Sequence, residues 1–159
     1  MADLTTLLER LHDAGVEFVL VGGLAAVSQG APVTTFDVDI VHRIDPENVS
    51  RLLVLLDSLN ARHRGQGDRV LRPNSRDLSA GGHCLLMTDL GALDVLGRIE
   101  GGRKYEDLVD HARDIQFRGR TMKVLDLSLL VELKRESKQP EDRQRLTILE
   151  ATLRRRGDR

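Results

Sequence analysis

Aromatic side chains are scarce: Phe18, Phe36, Tyr105 and Phe117 are 3% of the 159 residues, and tryptophan is absent. A base-stacking platform for single-stranded nucleic acid needs several exposed rings, which this chain cannot supply. Cysteine occurs once, at Cys84, so no internal disulfide can form. A disulfide-free chain fits a reducing compartment, and the cytoplasm is the expectation. Net charge is also lacking: 24 basic and 25 acidic residues leave −1, so bulk electrostatic capture of nucleic acid is not expected. No apolar run approaches the roughly 20 residues of a membrane helix. Asp3, Glu9 and Arg10 interrupt anything resembling a signal peptide, so no membrane partner is expected. The five histidines and Cys84 lack zinc spacing. No Walker motif occurs, and Gly65-Gln66-Gly67 lacks the remainder of a dinucleotide fingerprint.

The length suits one domain over 1–159, read as a core over 1–100 followed by a hairpin and helices over 101–159. Leu4, Leu7, Leu8 and Leu11 recur at helical spacing, predicting an N-terminal helix that ends near Gly15. Glu17 to Val21 reads as a buried strand, Gly23 to Gln29 as a small helix, and Thr35 to His42 as a second strand. Asp45-Pro46 is a helix start, with Asp as N-cap and Pro at the first helical position. Residues 61–81 read as a basic, glycine-containing loop carrying Arg62, Arg64, Arg69, Arg72 and Arg76, with a short strand at Val70-Leu71. A charge run of this kind is usually solvated, yet it also suits a triphosphate or an RNA backbone. His83 to Thr88 and Ala92 to Ile99 predict a hairpin, and Tyr105 to His111 a short helix. A second hairpin spans Ile115 to Leu125. Helices start at Asp126 and Pro140, and Arg154-Arg155-Arg156 is read as a solvated complement to the last helix C-terminus. The fold class is α/β (α+β): a short mixed sheet with flanking helices and a helical C-terminal end.

The most informative feature is Val21-Gly22-Gly23, followed after thirteen residues by Asp37-Val38-Asp39. Glycines let a main chain approach a polyanion closely, with a helix N-terminus behind them. Asp37 and Asp39 are two apart, so on a strand both side chains share one face. Their Cα atoms then lie roughly 6–7 Å apart, a separation from which two carboxylates can close on a divalent cation. Acids inside apolar sequence are costly unless something positive sits between them. The bland alternative is a solvated strand end. Asp94 is an isolated acid inside the apolar run Leu93 to Leu96, and its rival Asp89 sits where a turn would favour Asp anyway.

The stretch Val21-Gly22-Gly23... Thr35-Phe36-Asp37-Val38-Asp39-Ile40, with Leu93-Asp94-Val95-Leu96, resembles the signature of the nucleotidyltransferase superfamily that includes DNA polymerase beta. The resemblance implies that Asp37, Asp39 and Asp94 are catalytic and bind Mg²⁺ or Mn²⁺. It implies that Gly22 and Gly23 bind the phosphates of an incoming NTP, ATP among them. Thr35 stands where the family often has Thr, as a nucleotide contact or simply a good β-former. Lys134 is a candidate phosphate ligand or the polar face of a helix. Asp142 reads as a first-turn acid favoured by the helix dipole. Leu129 to Lys134 and Gln139-Pro140-Glu141-Asp142 are similar to a bacterial subgroup that includes abortive-infection and toxin–antitoxin nucleotidyltransferases.

The implied reaction is Mg²⁺-dependent transfer of NMP from an NTP to a hydroxyl acceptor. The acceptor is open among tRNA, a protein side chain and a small molecule, with toxin-like action on tRNA leading and a cognate antitoxin or toxin as partner. The alternative is a nucleotide-binding regulatory or antitoxin module with little turnover. Phe36 stands where many relatives carry a polar or basic residue, so Arg43, Lys134 or the 62–76 loop is expected to supply the missing charge.

Overall fold

Seven strands form one mixed sheet in the order β3-β4-β5-β2-β1-β7-β6 in a computed structural model that describes residues 2–157. Met1, Asp158 and Arg159, the ends of the expected domain, lie outside the described residues. In chain order the strands are β1 Phe18–Val21, β2 Asp37–His42, β3 Arg62–His63, β4 His83–Thr88, β5 Gly91–Leu96, β6 Ala112–Phe117 and β7 Arg120–Leu125. The helices are α1 Leu4–Asp13, α2 Gly22–Ser28, α3 Pro46–Ser58, α4 Ser75–Ser79, α5 Tyr105–Leu108, α6 Leu127–Glu136 and α7 Pro140–Arg155. Two parallel pairings, β2 with β5 and β1 with β7, are set among antiparallel ones.

Strand alternation divides the two faces of the sheet. In β2 the side chains of Val38, Ile40 and His42 are buried, whereas Asp37 and Asp39 are only partly so. In β5 Leu93 and Val95 are fully buried, and Ala92, Asp94 and Leu96 point the other way. The buried face joins Leu7, Leu11, Leu52, Leu56 and Leu78 in a continuous apolar core. Burying a leucine of this kind contributes about 1.5–3 kcal/mol. The opposite face carries Asp37, Asp39 and Asp94 beside Val19, Val21 and Val41, which are buried as well, so the acids sit at the edge of a second apolar layer.

Local signals set the ends of these elements. Asp45 caps α3 by accepting from the Asn48 N–H, with Pro46 at the first position. Asn48 is fully buried and fully used. It donates to the carbonyls of Glu17 (2.9 Å) and Arg43 (2.8 Å) and accepts from the Glu17 N–H (2.7 Å). This side chain fastens the start of β1 to the end of β2, and so fixes the register in which Val21 faces Asp39. Gln29 does the same on the other side of the sheet. It donates to the carbonyls of Ala25 and Leu125 and accepts from the Leu127 N–H, which seats α2 against the start of α6.

The 61–81 segment differs from the sequence reading. Its strand lies at Arg62–His63, and Val70-Leu71 runs beside it with one hydrogen bond, from the His63 N–H to the Leu71 carbonyl (2.8 Å). Residues 75–79 form a short helix rather than loop, started by a capping box between Asn74 and Asp77. Arg156, expected in solvent, instead reaches Gln29 and the Asp126 carboxylate at the start of α6.

Candidate functional site

Parallel pairing of β2 with β5 sets Asp39 opposite Asp94 and Asp37 opposite Ala92. Partners in register share a face, so two acids far apart in sequence become lateral neighbours. Asp37, Asp39 and Asp94 each offer a carboxylate oxygen, and these three atoms lie within 4.8 Å of one another. No other cluster of potential metal ligands of this kind occurs among the described residues.

Crowding and burial act on these acids as elementary electrostatics requires. The Asp39 carboxyl is pushed up to about 8, first by burial and then by the charges of Asp37 and Asp94. Asp37 is also raised by burial and by Asp94, with Arg64 and the Thr35 hydroxyl opposing. Asp39 Oδ1 is buried without a hydrogen-bond partner. A buried carboxylate oxygen left in this state is costly. A hard divalent cation held by oxygen ligands relieves both the missing partner and the mutual repulsion, so the donor set fits Mg²⁺ or Mn²⁺.

Gly22 is required by Asp39. Its φ is +73°, and a Cβ built there would lie 2.0 Å from Asp39 Oδ2. The turn out of β1 therefore leaves the space that the carboxylate fills. Gly23 is less constrained: a Cβ there would meet Arg145 Nη1 at 3.0 Å and Thr35 Cβ and Oγ1 at 3.1 Å. Thr35 directs its hydroxyl to the Asp37 carbonyl (3.2 Å) and lies 3.5 Å from Asp37 Oδ1. It touches both the glycine turn and the first acid.

Lys134, on α6, lines a cavity of about 120 Å³ with Gly22, Asp39, Leu96 and Leu133. Its ammonium pairs with Asp142 Oδ1 at 2.9 Å, and Asp142 also accepts from the Ser137 hydroxyl. Asp142 is thus more than a first-turn acid: it links α6 to α7 through Lys134. Of the cations expected to supply the charge missing at Phe36, Arg43 lies beyond the end of β2 opposite Asp37, where it pairs with Glu17 and Asp45.

Two arginines at the site were not distinguished by sequence. Arg64 follows β3, and its Nη2 lies 2.6 Å from Asp94 Oδ1, while Nη1 donates to the Leu86 carbonyl (2.9 Å). Of the other four arginines, Arg62 is half-buried in β3, and Arg69, Arg72 and Arg76 are exposed. Arg145, on α7, donates to the Thr34 carbonyl at 2.9 Å and lies over Gly23. Arg64 stood among five arginines with nothing to single it out, and Arg145 lies in an ordinary amphipathic pattern. Beyond Asp94 the sheet face is uncovered, with Leu85 43% exposed in register with it. Phe36, next to Asp37, is 81% exposed.

No protein-family model and no curated protein matches the sequence. Solved structures match in fold. The lincosamide antibiotic adenylyltransferase LnuA, with lincomycin bound, superposes with a TM-score of 0.60 at 14% identity, over 94% of this chain and 95% of that one. The chain has a nucleotidyltransferase-like fold. ANT(2″)-Ia in complex with adenylyl-2″-tobramycin gives 0.53 at 15% identity, over 96% and 98% of the two chains. TM1012 from Thermotoga maritima, provisionally assigned as a nucleotidyltransferase, gives 0.54 at 21% identity, over 91% and 88%. At these identities the likeness is one of fold.

Proposed function

We propose that this chain transfers a nucleoside monophosphate from an NTP to a hydroxyl acceptor and releases pyrophosphate. The observation that carries the reading is the convergence of the Asp37, Asp39 and Asp94 carboxylates within 4.8 Å, beside a glycine whose missing side chain makes room for Asp39. Asp37, Asp39 and Asp94 would hold divalent metal, Mg²⁺ or Mn²⁺. When bound, it would neutralise phosphate charge and lower the pKa of the acceptor hydroxyl.

The residues themselves divide the work. Gly22 and Gly23 let the backbone approach the phosphates, and Thr35 holds Asp37 in orientation through its hydroxyl. Lys134 brings positive charge to the cavity floor beside Asp39. Asp94, nearest the uncovered sheet face, faces the acceptor and is the carboxylate placed to receive its proton. Positioning and charge neutralisation then supply most of the rate, as in phosphoryl transfer generally.

Two acceptors suit the mouth. A tRNA 3′ end is favoured by Phe36, an exposed ring next to Asp37 on which a terminal base can stack, and by the exposed Arg69, Arg72 and Arg76. A toxin–antitoxin or phage-defence role rests on this acceptor. A small hydroxylated molecule is favoured by exposed Leu85 across from Asp94, and by two neighbours whose names specify antibiotics. Incubation with each α-labelled NTP, Mg²⁺ and separate pools of RNA, protein and small molecules tests the reading. Label in the RNA pool supports the first acceptor, and label in the small-molecule pool the second. Nucleotide binding without label in any pool favours a regulatory module.

A further inference from the structure

We propose that Arg145 of α7 binds the pyrophosphate half of the nucleotide, so that the C-terminal helix completes the nucleotide site. This rests on the nucleotidyl-transfer reading above. A triphosphate brings several negative charges to a site with three carboxylates, and the phosphates beyond reach of the metal that those carboxylates would hold call for a cation of the protein's own. Arg64 is engaged by Asp94, and Lys134 by Asp142. Arg145 differs from both. Among the described residues its one hydrogen bond is to a neutral acceptor, the Thr34 carbonyl at 2.9 Å. Asp142 lies close enough to feel its charge, but the hydrogen bonds of that carboxylate go to Lys134 and Ser137. The guanidinium therefore keeps donors free for an anion.

Its position follows from the geometry of transfer. Across the sheet Leu85, Asp94, Asp39 and Val21 stand in one row, from β4 through β5 and β2 to β1. The β4 end of that row is open, with Leu85 43% exposed, and admits the acceptor. In an in-line displacement the acceptor and the leaving group lie on opposite sides of the reacting phosphorus. The acceptor oxygen bonds to the α-phosphorus and its proton goes to a carboxylate of the cluster and on to water. The bond from the α-phosphorus to the bridging oxygen breaks, and its electron pair leaves on pyrophosphate. With the acceptor over β4 and β5, pyrophosphate departs past the opposite end of the row. There the chain continues from Val21 into Gly22-Gly23, and Arg145 Nη1 lies 3.0 Å from where a Gly23 Cβ would be. Thr35 borders the same point and leads back to Asp37.

The test compares wild type with Arg145→Ala and Arg145→Gln. The glutamine retains a donor for Thr34 and loses the charge. ATP, GTP, CTP and UTP are each titrated with MgCl₂, and the tightest binder is followed with its monophosphate and with inorganic pyrophosphate. The expected result is a loss of about tenfold or more in affinity for the triphosphate and for pyrophosphate in both variants. Affinity for the monophosphate should change less than twofold, with the Arg145→Gln melting temperature near that of wild type. Equal weakening of triphosphate and monophosphate, or no weakening in Arg145→Gln, overturns the assignment while leaving the transfer reading intact. Failure of the wild-type protein to bind any of the four triphosphates removes that reading and this inference with it.

Discussion

Arg64 Nη2 and Asp94 Oδ1 lie 2.6 Å apart, the one salt bridge made by the three clustered acids among the described residues. Both side chains are mostly shielded, at 28% and 17% exposure. Arg64→Ala removes the counter-charge and leaves Asp94 beside two other carboxylates. The cation-free protein should lose about 1–2 kcal/mol, the fully buried cost discounted for residual exposure. That corresponds to a fall of about 2–8 °C in melting temperature. Added Mg²⁺ or Mn²⁺ should then raise the melting temperature of Arg64→Ala more than that of wild type. Equal cation shifts would argue that Arg64 and a cation do not compete for the same carboxylate.

The two glycines should respond unequally to alanine. Gly22→Ala puts a methyl where Asp39 Oδ2 lies and forces a left-handed backbone on a residue with a Cβ. The backbone alone costs about 1–2 kcal/mol, and the carboxylate must also move. The variant should melt lower and lose nearly all transfer. Gly23→Ala meets Arg145 Nη1 at 3.0 Å and Thr35 Cβ and Oγ1 at 3.1 Å, contacts relieved by small shifts, so it should melt well above Gly22→Ala. Similar melting of the two variants contradicts the close approach of Gly22 to Asp39.

Asp39 predicts a pH dependence of stability. Its carboxyl is raised from 3.8 to about 8 by burial and by its acidic neighbours. Between those values the folded protein holds a proton that the unfolded chain has released. Stability of the cation-free protein should therefore fall as pH rises through this window and level off above about 8. Asp39→Asn should flatten that slope and melt higher than wild type at pH 8, with little difference near pH 4. Divalent-cation affinity of wild type should rise across the same window, because the cation displaces the proton. Melting curves in EDTA from pH 4 to 9 check the stability slope; an Asp39→Asn slope as steep as wild type contradicts it.

Asp94→Asn separates binding from turnover. In the proposed reaction the nucleotide would be held chiefly by Asp37, Asp39, the glycine turn and Arg145, whereas Asp94 would face the acceptor. NTP affinity should fall modestly while label transfer falls by about 10²–10³, the pattern of a contact used mainly in the transition state. Unchanged transfer would remove Asp94 from the chemistry. Asp89 is not a ready substitute, since it sits in a turn and accepts from Asn60 Nδ2 at 2.6 Å.

Much of this arrangement is legible in the chain because it is local. The alternation around Asp37 and Asp39 gives their common face, Asp45-Pro46 gives the start of α3, and Leu129 to Lys134 reads directly as α6. The placement of Asp94 beside them was implied by the family resemblance, with its isolation inside an apolar strand as the supporting pattern. What escaped depends on tertiary register. Nothing in residues 61–81 tells which arginine of five reaches an acid 30 residues later, because that follows from the β3–β4 pairing. Arg145 depends likewise on how α7 folds back over the 32–35 connector. The helix at Ser75–Ser79 had a signal, Asn74 three residues before Asp77, which the surrounding glycines and arginines obscured.

The most direct test of the account follows two labels in parallel. The tightest-binding NTP is supplied once with label on its α-phosphate and once on its γ-phosphate, with Mg²⁺ and the acceptor pool that takes label. The account predicts α-label on the acceptor, γ-label only in released pyrophosphate, and neither above background with the Asp37→Ala/Asp39→Ala double variant. Transfer of γ-label to the acceptor, or α-label transfer that survives the double substitution, would contradict nucleotidyl transfer by this acidic cluster.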